Sequence, residues 1–276
     1  MADVPDYATR LRLQHRAIAD DYRRCFGDML NGWFGPSPGD ADDRMSVVDL
    51  ACGDGGFTRL WADVVSPDRG GRVLGYDNDP EFLEAASVMT DRAEYPDVHF
   101  DLFDAVNPSE TEPIHDLVFC ADSFQSIDDH DAVIKTMCKL ARPGGVVVIS
   151  ETDNAHDIVV SVPVEVDVRL RSIEVERLDP VKRRGYAFGR HAVAGLRKAG
   201  LNDVGYRSFC VDRVAPLDEP TTQWIARHMS DRIDALSLDH DDPVFVHMHP
   251  DGAQFVLNDP DTVLTYTKAF AYGRRS

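Results

Sequence analysis

From residue 46 to residue 150 the chain repeats one pattern: a short run of consecutive apolar residues, then a longer amphipathic stretch. The runs are Ser46–Ala51, Arg72–Tyr76, Val98–Phe100, Asp116–Cys120 and Gly145–Ser150. Between them, Phe57–Val65, Pro80–Arg92 and Asp129–Ala141 have helical spacing. A strand with one solvated face alternates polar and apolar residues. A continuous apolar strand needs cover on both faces, which a parallel sheet flanked by helices provides. The pattern therefore predicts an α/β protein with a doubly wound, mostly parallel sheet. Right-handed crossovers then put ligand sites outside the carboxyl ends of the strands.

The flanks of this pattern read differently. Leu11, Ile18, Tyr22, Cys25, Phe26, Met29 and Trp33 recur at spacings of three, four and seven, so residues 6–34 are expected to form one amphipathic helix. The Gly-, Pro- and Asp-rich stretch 35–43 breaks it. Residues 1–44 are thus expected to be an N-terminal helical cap and linker, and 45–276 one domain. Inserts at about 151–188 and 215–252 are expected over the carboxyl edge of the sheet. Helices are expected over Pro163–Leu178, Phe188–Ala199 and Pro220–Ser237, and strands over Val204–Val214 and Thr262–Tyr272.

Composition narrows the partners. A net charge of −19 over 276 residues repels phosphate backbones and anionic lipid, so neither nucleic acid nor a membrane surface is expected as a partner. The five cysteines are scattered and form no C-x-x-C pair, which argues against a disulfide scaffold or a zinc ribbon. No basic leader followed by an apolar stretch opens the sequence, and no apolar run reaches spanning length. A cytoplasmic location is the expectation. No metal site is assigned, and the oligomeric state is left open.

The most informative segment is Val47-Val-Asp-Leu-Ala-Cys-Gly-Asp-Gly-Gly-Phe-Thr58. An apolar strand runs into a small-residue turn that opens a helix. Glycines there allow close backbone approach and positive φ, and the helix start offers unpaired N–H groups. The second strand ends in Gly75-Tyr-Asp-Asn78. An acid at that tip, Asp77, can accept two hydrogen bonds from a ribose diol. A dinucleotide fingerprint wants G-x-G-x-x-G, but from Gly53 its third glycine would fall at Thr58. Asp49, just before the turn, would repel a pyrophosphate and suits a ligand carrying an ammonium or sulfonium.

These residues resemble the motifs of class I S-adenosylmethionine-dependent methyltransferases. Asp49-Leu-Ala-Cys-Gly-Asp-Gly55 is similar to their first motif and Gly75-Tyr-Asp77 to their second. Val98-His-Phe-Asp-Leu-Phe-Asp-Ala105 is similar to the third, and Asp116–Cys120 to the fourth strand. Arg142-Pro-Gly-Gly-Val-Val-Val-Ile-Ser-Glu151 is similar to the turn and fifth strand. Ala51 stands where the family most often has glycine. The resemblance implies a Rossmann-like, seven-stranded sheet with an antiparallel last strand, and S-adenosyl-L-methionine as cofactor. It implies that Ala51 and Gly53 face the methionine moiety, with Asp49 near its ammonium, and that Gly55 is a further cofactor-binding residue. Asp77 would hold the ribose hydroxyls and Asn78 flank the adenine. Asp104 and Ala105 would meet the adenine amino edge, Ala121 would border the methionine end, and Tyr22 would close over the cofactor.

The implied activity is methyl transfer to a small-molecule acceptor, with the accepting atom (O, N or C) undecided. Transfer from a sulfonium is an in-line displacement governed by alignment, with a base added when the acceptor carries a proton. Asp122, His156 and His191 are the candidate catalytic residues; His130 and Glu151 also stand near expected strand ends. Two alternatives stay open: the same fold and cofactor used for a rearrangement or cyclisation, and a non-catalytic binding module.

Overall fold

Val47, Val48 and Leu50 are fully buried in β1 (Ser46–Leu50), as a central strand covered on both faces must be. The computed structural model describes residues 6–35, 44–108, 112, 114–152, 157–177 and 188–276. It divides into two compact units, the larger comprising 19–152, 188–209 and 268–276, the smaller the remainder.

In the larger unit, β1 pairs in parallel with β2 (Arg72–Asp77) and β4 (His115–Ala121). β3 (Val98–Leu102) extends the sheet beyond β2, and β5 (Ala141–Glu151) beyond β4, both in parallel. The strand order is thus β3-β2-β1-β4-β5, with β8 (Val263–Arg274) antiparallel to β5 and β7 (Asn202–Val214) paired with β8. The chain changes direction of winding at β1, which puts the carboxyl ends of β1 and β4 side by side at the switch point.

Helices cover both faces of this sheet. They are the C-terminal part of α1 (Asp6–Phe34), α2 (Gly56–Arg69), α3 (Pro80–Met89), α4 (His130–Leu140) and α6 (Ala192–Lys198). One core joins Val48, Val118 and Val147 to Ile134, Met137 and Leu196. The opposite face is aromatic: Phe26 stacks on Trp61 at 3.9 Å, and Phe119 and Phe270 meet Phe26 edge-on. α1 leaves helical geometry at Ile18 (φ −129°, ψ 22°), so in place of the expected single helix there are two helical segments joined at a kink.

The acid-rich composition acquires a local use here. Asp79 and Asp129 cap α3 and α4 by accepting the N–H of Glu81 and Ala132. In the smaller unit Asp218 and Asp242 do the same for α7 (Glu219–Asp234) and α8 (Pro243–Met248), each followed by a helix-starting proline. Such side chains satisfy amide donors that a helix start leaves unpaired.

The smaller unit holds an addition to the seven strands that the family pattern implies. β6 (Ile158–Val160) is three residues long and pairs antiparallel with the first residues of β8, Ile158 opposite Tyr266. Beside α5 (Val164–Arg177), Arg232 bridges two buried acids, with Nη1 3.1 Å from Asp157 and Nη2 2.7 Å from Glu174.

Candidate active site

The bend after β1 is built from backbone that ordinary residues avoid. Ala51 (φ 57°), Gly53 (φ 54°) and Gly55 (φ 75°) are all left-handed. Alanine pays a modest strain for that conformation; glycine pays none. The bend is tied to the neighbouring strand. Cys52 donates its N–H to the Tyr76 carbonyl at 2.9 Å, and Gly53 donates to Asp77 Oδ2 at 2.8 Å. A Cβ on Gly55 would lie 2.8 Å from Phe100 Cζ, so this turn also needs glycine for space.

Asp49 lies two residues before the bend, 2% exposed, and accepts a 2.6 Å hydrogen bond from Thr58 Oγ1 on α2. Burial pushes its carboxyl up to about 7, against the opposing effect of that hydrogen bond. Asp77 is also buried. Burial raises its carboxyl, while the N–H groups of Gly53 and Asp79 hold the charged form. Asn78 beside it is exposed.

β3 brings Asp104 and Ala105 to the same side as the tip of β2: Phe103 donates its N–H to the Asp77 carbonyl and its ring stacks on Tyr76 at 4.9 Å. Asp104 is exposed. Its Oδ1 accepts the N–H groups of Val106 (2.8 Å) and Asn107 (3.0 Å), which hold the carboxyl below its ordinary value. The structure thus places Asp49, Ala51, Gly53, Gly55, Asp77, Asn78, Asp104 and Ala105 at the carboxyl ends of three adjacent strands.

Ala121 ends β4, and Asp122 follows it in left-handed backbone (φ 52°) with its N–H donated to the Ser150 carbonyl at 3.0 Å. Its carboxylate is ion-paired with Lys268, whose side chain is fully buried, and accepts from Thr152 Oγ1 at 3.1 Å. The Lys268 ammonium stands 4.6 Å from the Phe57 ring centroid and 5.9 Å from that of Tyr22. Tyr22 itself is buried in the aromatic layer, stacked on Phe209 and edge-on to Phe57. Glu151, at the end of β5, is 1% exposed. One of its oxygens accepts the N–H groups of Ser123 (2.8 Å) and Phe124 (2.9 Å). Burial first, and the charge of Asp122 second, push its carboxyl up to about 8.

His191 is exposed at the start of α6, where its carbonyl accepts the N–H groups of Ala194 and Gly195. His156 lies outside the described residues. His130 is held by Phe124, whose carbonyl is 2.6 Å from its Nε2, and packs edge-on to Phe188. Lys268 was not among the residues singled out from the sequence. A lone lysine in an apolar final strand reads as solvent-facing, and only the register with β5 shows it at the strand tips.

Residues 41–173 match a family described as a methyltransferase domain. A trans-aconitate 2-methyltransferase of Variovorax paradoxus (strain S110) is 31% identical over 115 residues, 42% of this chain and 41% of that protein. The chain thus spans about two fifths of the length of such curated relatives. Among solved structures, a methyltransferase from Bacillus halodurans C-125, titled as putative, superposes with a TM-score of 0.53 at 15% identity, covering 84% of this chain and 93% of that one. A Haemonchus contortus phosphoethanolamine N-methyltransferase 2, solved with phosphomonomethylethanolamine and S-adenosylhomocysteine, gives 0.50 at 16% identity, covering 92% of this chain and 53% of that one. At these identities the structures share the fold.

Proposed function

We propose that this chain, which carries a class I S-adenosylmethionine-dependent methyltransferase domain, transfers a methyl group from S-adenosylmethionine to a small organic acceptor. The observation that carries the reading is the bond from Gly53 N–H to Asp77 Oδ2, which sets a left-handed bend and an acid at adjacent strand tips. S-adenosylmethionine, when bound, supplies an electrophilic methyl group on a sulfonium.

The residues present fit that cofactor. Asp77 is acceptor-only when ionised, and two backbone N–H groups use about half of its roughly four lone-pair sites. The rest suit a ribose diol. Asp49 offers a buried carboxylate to the ammonium of the methionine end, and the backbone of Ala51, Gly53 and Gly55 allows close approach. Asn78, Asp104 and Ala105 stand where the adenine would lie, Ala121 borders the methionine end, and Tyr22 faces the same layer as Phe57. Asp122 is the candidate base. His191, exposed at the start of α6, is a second candidate on the acceptor side.

A small acceptor is supported by the relatives' names: trans-aconitate 2-methyltransferases, and a ubiquinone biosynthesis O-methyltransferase of Leptothrix cholodnii. The charge of −19 supports the same choice over nucleic acid. No helix among the described residues is long and apolar enough to cross a membrane.

The test is incubation of the full chain with methyl-labelled S-adenosylmethionine and a panel of trans-aconitate, a catechol and a primary amine. Label should pass to an acceptor with matching release of S-adenosylhomocysteine. A chain that binds no S-adenosylmethionine in calorimetry would overturn the reading.

A further inference from the structure

Three ionisable side chains meet at the ends of β4, β5 and β8: Asp122, Glu151 and Lys268. All three are nearly or wholly inaccessible: Lys268 at 0% and Asp122 at 7% side-chain exposure, and Glu151 at 1%. They come from different strands and are brought together by register. Glu151 stands opposite Ala269, the neighbour of Lys268, and Asp122 donates its N–H to the strand of Glu151.

We propose that Lys268 is a positioning residue for the candidate base: its buried ammonium fixes the Asp122 carboxylate, and Glu151 is the counter-charge that takes over when Asp122 accepts a proton. The inference rests on the methyl-transfer reading only for the role of Asp122; the cluster itself stands on the Asp122–Lys268 ion pair, the register of β5 with β8 and the burial of Glu151.

The physical argument starts from cost. A buried ammonium is expensive unless it is paired, and one flanked by two ionised carboxylates would leave a net buried negative charge. Holding one proton on the cluster leaves it neutral. Asp122 is the direct ionic partner of Lys268 and has a second bond from Thr152 Oγ1. Glu151, whose bonds run to the backbone of Ser123 and Phe124, is the group left to carry the proton. Its environment agrees: burial and Asp122 both disfavour its charge, and Lys268 favours it less strongly.

This arrangement has a consequence for a protic acceptor, one bearing O–H or N–H. As the acceptor's lone pair bonds to the methyl carbon, the C–S pair returns to sulfur and the acceptor's proton goes to Asp122. Asp122 is then neutral and Lys268 loses its counter-ion. With Asp122 neutral, its charge no longer disfavours an ionised Glu151, so Glu151 gives up its proton and supplies the negative charge that balances Lys268. Passage of the Asp122 proton to Glu151 then restores the resting cluster, which is neutral throughout, and one proton has left for each methyl transferred.

The other groups around the cluster do not offer a competing site. Cys120 on β4 has its thiol pushed far up by burial and stays neutral. Tyr22 on α1 and Phe57 on α2 present rings to the ammonium. Asp49 on β1 is a second buried acid, bonded to Thr58. His130 on α4 is engaged with the Phe124 carbonyl.

The test is a carbon-13 carboxyl titration of the full chain labelled at glutamate, with the Glu151 signal assigned by its loss in Glu151→Gln. In the wild type Glu151 should titrate well above the ordinary glutamate value. Lys268→Met should move that midpoint up by about one pH unit or more, and Lys268→Arg should restore it. Asp122→Asn should move it down; asparagine tolerates the left-handed backbone at this position, and an ionised Glu151 offsets the charge left on Lys268. If Lys268→Met does not fold, the wild-type and Asp122→Asn titrations decide the matter. A Glu151 midpoint near 4.5 in the wild type, or one that Asp122→Asn leaves unmoved, would overturn the proposal. Loss of S-adenosylmethionine binding by the wild type would overturn the cofactor reading instead and leave this titration intact.

Discussion

The amide of Gly53 and the carboxylate of Asp77 are 2.8 Å apart, so the bend after the first strand and the tip of the second are one hydrogen-bonded unit. The acid proposed to grip a ribose is therefore also the acid that shapes the bend. Asp77→Ala should cost cofactor affinity twice over, through lost ligand bonds and through a loosened Gly53. Hydrogen bonds to charged groups contribute about 1.5–3 kcal/mol each, so calorimetry should show at least a tenfold rise in the Kd of S-adenosylmethionine. Asp77→Asn, which keeps one acceptor oxygen, should fall between the two.

The pH dependence of cofactor binding should report on Asp49. Its carboxyl sits at about 7 in the folded chain, so near neutrality it is partly protonated, and an incoming ammonium selects the ionised form. Below pH 7 binding must expel a proton. The Kd should then rise by about tenfold for each pH unit, and Asp49→Asn should bind weakly with that slope removed. Calorimetry in two buffers of different ionisation enthalpy checks the proton count.

The same carboxyl has an opposite effect on stability. Its folded value of about 7 lies above the ordinary 3.8, so the folded chain holds a proton that the unfolded chain gives up. The stabilisation from this group is complete below 3.8 and is lost as pH rises through 7. Asp49→Asn should therefore gain stability over the wild type between pH 5 and pH 8. Urea midpoints at the two pH values, without cofactor, give the comparison.

Gly75 is required for space. A Cβ there would lie 2.5 Å from Phe100 Cδ1 and 2.9 Å from Cys52 Sγ, closer than atoms pack. Gly75→Ala should destabilise the chain by about 1–3 kcal/mol in urea unfolding. Adding Phe100→Leu should recover part of that loss.

In the smaller unit, Arg232 is the shared cation of Asp157 and Glu174. Removing it by Arg232→Met takes the shared cation from two buried carboxylates, leaving His228 Nε2 3.4 Å from Asp157. The expected cost is about 3–5 kcal/mol in urea unfolding. Replacing all three with apolar residues of similar volume should cost far less.

Much of this fold is written in the order of the residues. Buried parallel strands are continuous apolar runs, so β1, β2, β4 and β5 stand out, and the turn at 51–55 announces itself by its small residues. The three-residue β6 leaves no such trace, because Ile158–Val160 gains strand geometry only from its partner in β8. Asp49 and Asp77 were legible from their places beside glycines. Lys268 was not, since its meaning comes from an antiparallel register spanning more than a hundred residues of sequence. Glu151 stood out as a strand-end acid, but its raised carboxyl comes first from burial and then from the charge of Asp122 across the sheet.

The backbone at Asp122 narrows what substitution can do there. With φ at 52°, glycine, asparagine and aspartate are the residues that settle without much strain. One nucleotide change therefore converts an anion into an amide or into empty space while the strand tips keep their spacing. A lineage shifting between acceptors that must lose a proton and acceptors that have none could alter reactivity at this single point and leave the scaffold untouched.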